Sequence, residues 1–251
     1  MNSEFINLTL DNIDNEHLCC IIRTKKNHPG VEAKREWLKD RLPNGHVFRK
    51  LNEKATVFVE YAPLEQAWVP IEGDNYYYIY CLWVLGGYRK KGYGRSLMEY
   101  VINDAKKNKK SGICMLASQK QKAWLSDQGF AKKFGFVTVD TTNNGYELLA
   151  KSFDGTTPKF MENAKKEEID SKELTIYYDM QCPYVYQTIN FVKEYCTLHN
   201  LDVNLIKVDT LEKAKNLPCV FNNFAVFYKG GFQTVNLLDI NTLKRILNKY
   251  L

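Results

Sequence analysis

Leu82-Trp-Val-Leu-Gly-Gly-Tyr-Arg-Lys-Lys-Gly-Tyr-Gly-Arg-Ser-Leu97 is the stretch on which the reading of this chain turns. Leu82–Leu85 reads as the end of a buried strand, and Gly86-Gly87 as a tight turn. Arg89–Arg95 is a basic loop with two further glycines, and Ser96-Leu97 belongs to the first turn of a helix. Such a loop aims several backbone N–H groups at one point. It sits at the positive end of a helix macrodipole and is bordered by Arg89, Lys90, Lys91 and Arg95, which are the parts that hold a pyrophosphate. A P-loop is excluded, because Gly94-Arg95-Ser96 lacks the Gly-Lys-Ser/Thr ending and the leading glycine. A dinucleotide fingerprint is excluded too, because Leu97 stands where a third glycine or alanine is needed.

Outward from the loop, Tyr93, Leu97, Met98, Val101, Ile102 and Ala105 share one face of a helix expected from Gly92 to about Asn108. Upstream, Tyr76–Leu85 carries aromatics on both faces and is expected to be a central strand. Val47–Lys50 and Ala55–Ala62 read as paired strands after an Asn44-Gly45 turn. Glu4–Leu10 reads as a strand. A helix capped by Asp11 or Asp14 is expected to run through Cys20–Ile22, and a second over Val31–Leu42. Downstream come a strand at Gly112–Ala117 and a short helix at Asp127–Lys133 with Ser126 as its N-cap. A hairpin, Phe134–Asp140 and Tyr146–Ser152, turns at Asn144-Gly145. This is a mixed α/β sheet with a single phosphate-binding crossover, not a βαβ series. Ser118–Trp124, with Lys120 and Lys122, reads as a solvated loop. Closure over a cofactor, or contact with the second half of the chain, are the alternatives.

The 251 residues suffice for two domains, and 45% hydrophobic with 25% charged residues is ordinary for a globular chain. The net charge of +6 shows no aromatic ladder inside a basic stripe, so no nucleic-acid partner is expected. Met1–Asn7 does not read as a signal peptide, and no apolar run spans a membrane; a cytoplasmic protein with no membrane partner is expected. The seven cysteines lack paired spacing, which fits reduced thiols, and no ligand spacing suggests a metal.

The pattern Arg89-x-x-Gly92-x-Gly94, after a strand and opening a helix, resembles the acetyl-CoA loop of the GNAT acetyltransferase superfamily. The resemblance covers roughly Glu4–Phe153 and includes the Lys132-Lys-Phe-Gly-Phe136 segment. It implies a GNAT fold and acetyl-CoA as co-substrate. Leu82, Trp83 and Val84 would then offer backbone groups to the pantetheine arm. Arg89, Lys90, Lys91, Gly92, Tyr93, Gly94, Arg95 and Ser96 would hold the pyrophosphate, mostly through amides. In many members a tyrosine before the Gly-Phe pair protonates the departing thiolate. Here that position is Ala131, next to Phe130, so the usual acid is absent. Tyr78 and Tyr80 on the strand feeding the loop, with Glu60, are the candidate catalytic residues; Glu65, Glu72 and Asp74 are further candidate bases. Alternation along that strand places Tyr78 and Tyr80 on one face and Tyr77 and Cys81 on the other.

A polar, charged stretch, 154–173, reads as a linker and divides a 1–153 domain from a 174–251 domain. The second block has the order strand (Leu174–Asp179), helix (to about Asn200), strand (Val203–Val208), short helix (Leu211–Asn216), hairpin around Gly230-Gly231, and a helix from Asp239 through Leu251. It resembles the thioredoxin fold. Cys182-Pro183 stands at the helix start, and Pro218 where that fold has its cis-proline. GNAT chains with such an extension form the YoaP-like group. Cys182-Pro-Tyr-Val185 lacks the second thiol of CxxC, which argues against a dithiol cycle. Cys182 could still be a reactive thiol with a depressed pKa, and Cys219 could approach it. The reading is therefore an acetyl-CoA-dependent N-acetyltransferase acting directly on an amine of a small metabolite or peptide. The alternative is a non-catalytic acyl-CoA-binding or thiol-sensing protein using Cys182.

Overall fold

In the computed structural model, residues 4–22 and 28–249 are described. In chain order the elements are β1 (Phe5–Asn7), α1 (Pro29–Arg41), β2 (Val47–Leu51), β3 (Val57–Pro63), β4 (Ile71–Glu72) and β5 (Tyr76–Val84). Then come α2 (Tyr93–Lys107), β6 (Gly112–Ser118), α3 (Gln128–Lys132), β7 (Val137–Thr141), β8 (Tyr146–Ser152) and β9 (Lys159–Phe160). The remainder is β10 (Leu174–Tyr178), α4 (Tyr184–Leu198), β11 (Val203–Lys207), α5 (Leu211–Lys215), β12 (Phe224–Tyr228), β13 (Gly231–Thr234) and α6 (Ile240–Asn248). The end of the last expected helix, 250–251, lies outside the described residues. No helix among them is long and apolar enough to cross a membrane.

A seven-stranded sheet runs β1-β2-β3-β5-β6-β8-β7. Its strands pair antiparallel except for β5 and β6, which are parallel and paired only over Tyr76–Tyr78 and Gly112–Cys114. Past Tyr78 the two strands separate, and a gap opens in the middle of the sheet. The close end of this wedge depends on Gly112, where a Cβ would meet the Lys151 carbonyl and the Tyr76 ring at 2.5 Å. One sheet face carries Tyr77, Ile79, Met115 and Leu149 and is covered by α2 and α3 through Leu97, Met98, Val101 and Ala131. The α2 stripe is the one its helical spacing predicts.

The other face carries Tyr76, Tyr78, Tyr80 and Tyr146. It is covered by Trp37 and Leu38 of α1 and by Leu217, Phe221, Phe227 and Phe232 from the second half of the chain. That half builds a four-stranded sheet, order β11-β10-β12-β13, with β10 and β11 parallel and the other pairs antiparallel. Its outer face packs on α4 and α6 through Ile189, Val192 and Leu243. Within 154–173, β9 pairs with β4, and Phe160 and Ala164 are buried in the core shared by both sheets.

Several local expectations are corrected. No helix forms over 11–22; the segment is a series of turns, with Cys19 and Ile21 at φ 63° and 51°. Its carbonyls find partners outside a helix: Arg35 donates to Ile13 and Glu16, and the Thr56 hydroxyl to Cys19. Asp127, not Ser126, caps α3, accepting from the Phe130 amide at 2.9 Å. A bulge lies where Glu60 faces Cys81 and Tyr61 faces Ile79, so that β5 carries an extra residue at Tyr80. The bulge breaks the alternation: Cys81 joins Tyr80 and Trp83 on one face, opposite to Tyr77. No described peptide bond is cis, Pro218's included.

Candidate functional site

The basic loop is open to solvent. Arg89, Lys90, Lys91, Gly92, Arg95 and Ser96 are all exposed. Arg95 reaches Glu99 only at 3.5 Å, and Arg89 Nε donates to the Val84 carbonyl at 3.4 Å. The helix behind it is left uncapped. Asp127, Thr210 and Asp239 cap α3, α5 and α6 with side-chain oxygens, whereas α2 starts at Gly92, φ 86°, with no side-chain cap. Only glycine takes that φ without strain. The first-turn N–H groups of α2 therefore face the loop without side-chain acceptors, which is the arrangement that binds an anion.

Beside the loop lies a cavity of about 490 Å³ in the gap between β5 and β6, lined by Leu82, Trp83, Val84, Arg89, Gly94 and Ala131 among others. Phe130, Ser126, Asp127 and Gln121–Ala123 also line it. The Leu82 amide points into the gap, where the Ser126 hydroxyl accepts from it at 3.1 Å. The Leu85 amide points the other way, donating to Thr56 on the β3 side. Strand alternation then turns the Trp83 amide toward β3 as well, so Leu82 and Val84 present backbone groups to the gap while Trp83 presents its ring.

A second cavity, about 340 Å³, lies on the opposite side of β5. The second half of the chain supplies Gln181, Cys182, Pro183, Tyr184, Asn222 and Asn223 to it. The first half supplies Cys20, Lys34, Tyr80, Cys81, Trp83 and Trp124. Trp83 and Ala123 line both cavities and so form a common wall. Ser118–Trp124 is largely exposed, as a solvated loop is, and it also makes the two contacts weighed as alternatives. Gln121–Ala123 flank the first cavity, and the Trp124 ring meets Tyr184 with centroids 5.7 Å apart.

Under the second cavity sits a buried polar cluster. Glu60 Oε2 accepts from Lys34 Nζ at 2.7 Å and Gln181 Nε2 at 2.8 Å; Oε1 accepts from His46 Nε2 at 2.9 Å. Lys34 also donates to the Gln181 carbonyl at 2.6 Å. Burial by itself would raise the Glu60 carboxyl, but Lys34 and His46 hold it below its usual range. Burial would lower Lys34, and Glu60 reverses that. His46 is pushed down by burial despite the carboxylate, so it is a neutral donor.

This fixes where the candidate catalytic residues stand. Glu60 and Tyr78 are fully buried and border neither cavity. Glu60 has both oxygens engaged, so it is a poor proton acceptor. The Tyr78 hydroxyl donates to Asn222 Oδ1 at 2.8 Å and ties the two halves together. Tyr80 borders the second cavity; its hydroxyl accepts from the Trp68 amide at 2.7 Å, and burial raises its pKa. Glu65, Glu72 and Asp74 precede β5, at the end away from the loop. Glu65 accepts from the Asn75 amide, and Glu72 pairs with Lys159.

Cys182 is not a low-pKa thiol. Burial pushes it up to about 11, outweighing the Tyr184 amide and Lys34. The thiols that interact with it are Cys20 and Cys81; Cys219 is fully buried and interacts with Glu167 instead. No group of three or more His, Cys, Asp or Glu among the described residues is arranged to hold a metal. Residues that sequence reasoning missed are Gln181, Asn222 and Asn223, which reach the first half only through tertiary packing. Ser126 was visible, but as a cap.

The family model described as Acetyltransferase (GNAT) family matches residues 11–136, and the YoaP-like model matches 203–245. The chain is 37% identical over 246 residues to a protein of Bacillus subtilis (strain 168) described as "Uncharacterized N-acetyltransferase YoaP", covering 97% of this chain and 98% of that one. Among solved structures, it is similar to a ribosomal-protein-alanine N-acetyltransferase from Brucella melitensis (18% identity, 59% of this chain and 99% of that chain, TM-score 0.43). It is also similar to a GNAT family acetyltransferase from the same organism in complex with acetyl-CoA (13% identity, 62% and 91%, TM-score 0.41).

Proposed function

The chain belongs to the GNAT acetyltransferase family, and on that premise we propose that it transfers acetyl from acetyl-CoA directly to an amine of a small metabolite or peptide. The observation that carries this reading is the pair of cavities on either side of β5 with Trp83 and Ala123 as their common wall. A donor in one and an acceptor in the other meet at that wall, which gives proximity without a covalent enzyme intermediate.

In this reading the loop amides from Lys90 to Ser96 and the open end of α2 hold the pyrophosphate, with Arg89, Lys91 and Arg95 adding charge. The pantetheine arm lies in the gap left by β6 and takes the strand-edge groups of Leu82 and Val84. The Leu82 N–H, parked on Ser126 Oγ, is the donor available to polarise the thioester carbonyl. The amine lone pair attacks the carbonyl carbon, the C–S bond breaks, and the nitrogen loses a proton as the thiolate gains one. Ala131 supplies no acid, and a thiolate is a stable enough leaving group to take its proton from water.

The sheet order β11-β10-β12-β13 and the placement of α4 after β10 support a thioredoxin-like second domain over about 174–251, used here as a wall of the acceptor cavity and not as a redox centre. Incubation with acetyl-CoA and a panel of amines, with release of free thiol as the readout, tests the reading. Absence of acetyl-CoA binding by calorimetry sinks it.

A further inference from the structure

The acceptor cavity has a definite chemical character. Among the described residues, Lys34 is its one charged group, and Glu60 already neutralises it at 2.7 Å. Three thiols line it, Cys20, Cys81 and Cys182, and burial holds each in its neutral form. Neutral buried thiols behave as small apolar groups. Leu85, Trp124 and Tyr184, three of the nine large apolar side chains exposed among the described residues, all border this same cavity. An apolar mouth thus leads to an apolar chamber.

Apart from Lys34, the polar side chains of the wall among the described residues are uncharged: the hydroxyls of Thr56, Tyr80 and Tyr184 and the amides of Gln181, Asn222 and Asn223. Asn222 is spent on Tyr78 and the Tyr80 carbonyl, and Gln181 on Glu60 and Asn223. Asn223 donates its Nδ2 to Gln181 Oε1 at 2.9 Å, which leaves Oδ1 as an acceptor bordering the chamber. Among the described residues, an ammonium meets no carboxylate on the cavity wall, and a carboxylate or phosphate on the acceptor meets no cation beyond the paired Lys34. The positive end of α4 borders the same cavity at Cys182–Tyr184, with the Tyr184 amide taken by the Cys182 sulfur and the Val185 amide by the Cys182 carbonyl. Each of these favours the uncharged form of an amine.

We infer that the acceptor is a compact apolar or aromatic primary monoamine that enters as the neutral amine, its body against Trp83, Trp124 and Tyr184 and one N–H donated to Asn223 Oδ1. The inference rests on the transfer reading above and deepens it. Desolvation of the amine does the work of the missing base: the nucleophile arrives with its lone pair free. Polyamines, α-amino acids and peptide N-termini are excluded by the uncompensated charge or bulk they would bring into this chamber.

The test measures kcat/KM with acetyl-CoA for benzylamine, tyramine and tryptamine against spermidine, leucine and an unblocked tetrapeptide. At least one aromatic monoamine is expected to exceed the other three by about 100-fold or more, the size of discrimination that an apolar pocket gives against an added polar group. Its kcat/KM should rise with pH up to the amine's own pKa. Trp124→Ala should raise KM for that amine by about tenfold with the acetyl-CoA Kd unchanged, since it removes one aromatic contact. Asn223→Asp should narrow the gap to spermidine by placing a carboxylate where the amide was. Spermidine, leucine or the tetrapeptide as the best acceptor overturns the inference and leaves the transfer reading standing. Acetyl-CoA binding with no acetylation of any amine overturns both.

Discussion

The loop at Arg89–Ser96 and the cluster around Glu60 both gather charge, and they differ in what that charge is for. The loop cations are exposed, loosely paired, and placed at a helix end that no side chain caps. The Glu60 cluster is fully buried and its polar atoms answer one another: Lys34, His46 and Gln181 all converge on a single carboxylate. Charge left unanswered at a surface with free amides marks a place for a ligand. Charge answered within the core marks a joint, here the joint between the two halves of the chain. A carboxylate chosen from sequence as a base, Glu60, belongs to the second kind.

The comparison can be broken most forcefully at the joint. Glu60→Ala strands a buried ammonium on Lys34 and should cost about 3–5 kcal/mol in urea denaturation, because removing one partner of a buried pair leaves an uncompensated charge. A Lys34→Met/Glu60→Leu double variant should recover much of that loss; failure to recover would mean that packing, not charge, holds the joint.

Next in size is a change at the loop end of α2. Gly94 lines the first cavity, and a Cβ there would sit 3.4 Å from Phe130 Cζ. Gly94→Leu should fill the cavity mouth and weaken acetyl-CoA binding by about 100-fold in calorimetry, since overpacking typically costs 1–3 kcal/mol. The urea midpoint should move little.

Asp179 sharpens the contrast through pH. It is fully buried beside the joint, accepts from the Gln181 amide at 2.8 Å through Oδ1, and has no partner on Oδ2 among the described residues. Burial raises its pKa to about 8. The folded state therefore binds a proton that the unfolded state has released, and stability should fall as pH rises from about 4 to about 8, by about 1.4 kcal/mol per unit at most. Asp179→Asn should flatten that slope. Glu60, whose folded pKa is lowered, acts oppositely, its stabilisation being lost only as pH falls through the carboxylate range.

The smallest effect is expected at Arg89, an exposed cation. Arg89→Ala should weaken acetyl-CoA by about fivefold or less, and less still at high salt, because exposed charges are screened and the amides do most of the holding. A large, salt-independent loss would break the view of the loop as an amide cradle.

Legibility in the sequence followed the range of the interactions. The strand, turn and helix of Tyr76–Asn108 could be read because glycine positions and apolar spacing act within a few residues. The N-terminal turns could not, because Ile13, Leu18 and Cys19 are set by burial and by Arg35 and Thr56 from elsewhere in the chain. The bulge at Tyr80 was hidden for the same reason: an extra residue in one strand has meaning only against its partner, β3. Ser126 looked like a cap, and became the acceptor for a strand edge that lies 44 residues away.

Two things were therefore decided at different levels. The sequence alone determined the Gly-rich basic loop and the family it resembles, because a Gly-rich turn before an amphipathic helix is written in contiguous residues. Only the tertiary structure decided the second cavity. Its walls join Cys20, Trp83, Trp124, Cys182 and Asn223, and no local rule brings those together. Their meeting depends on the burial of one half of the chain against the other, with the Glu60 cluster fixing how they dock.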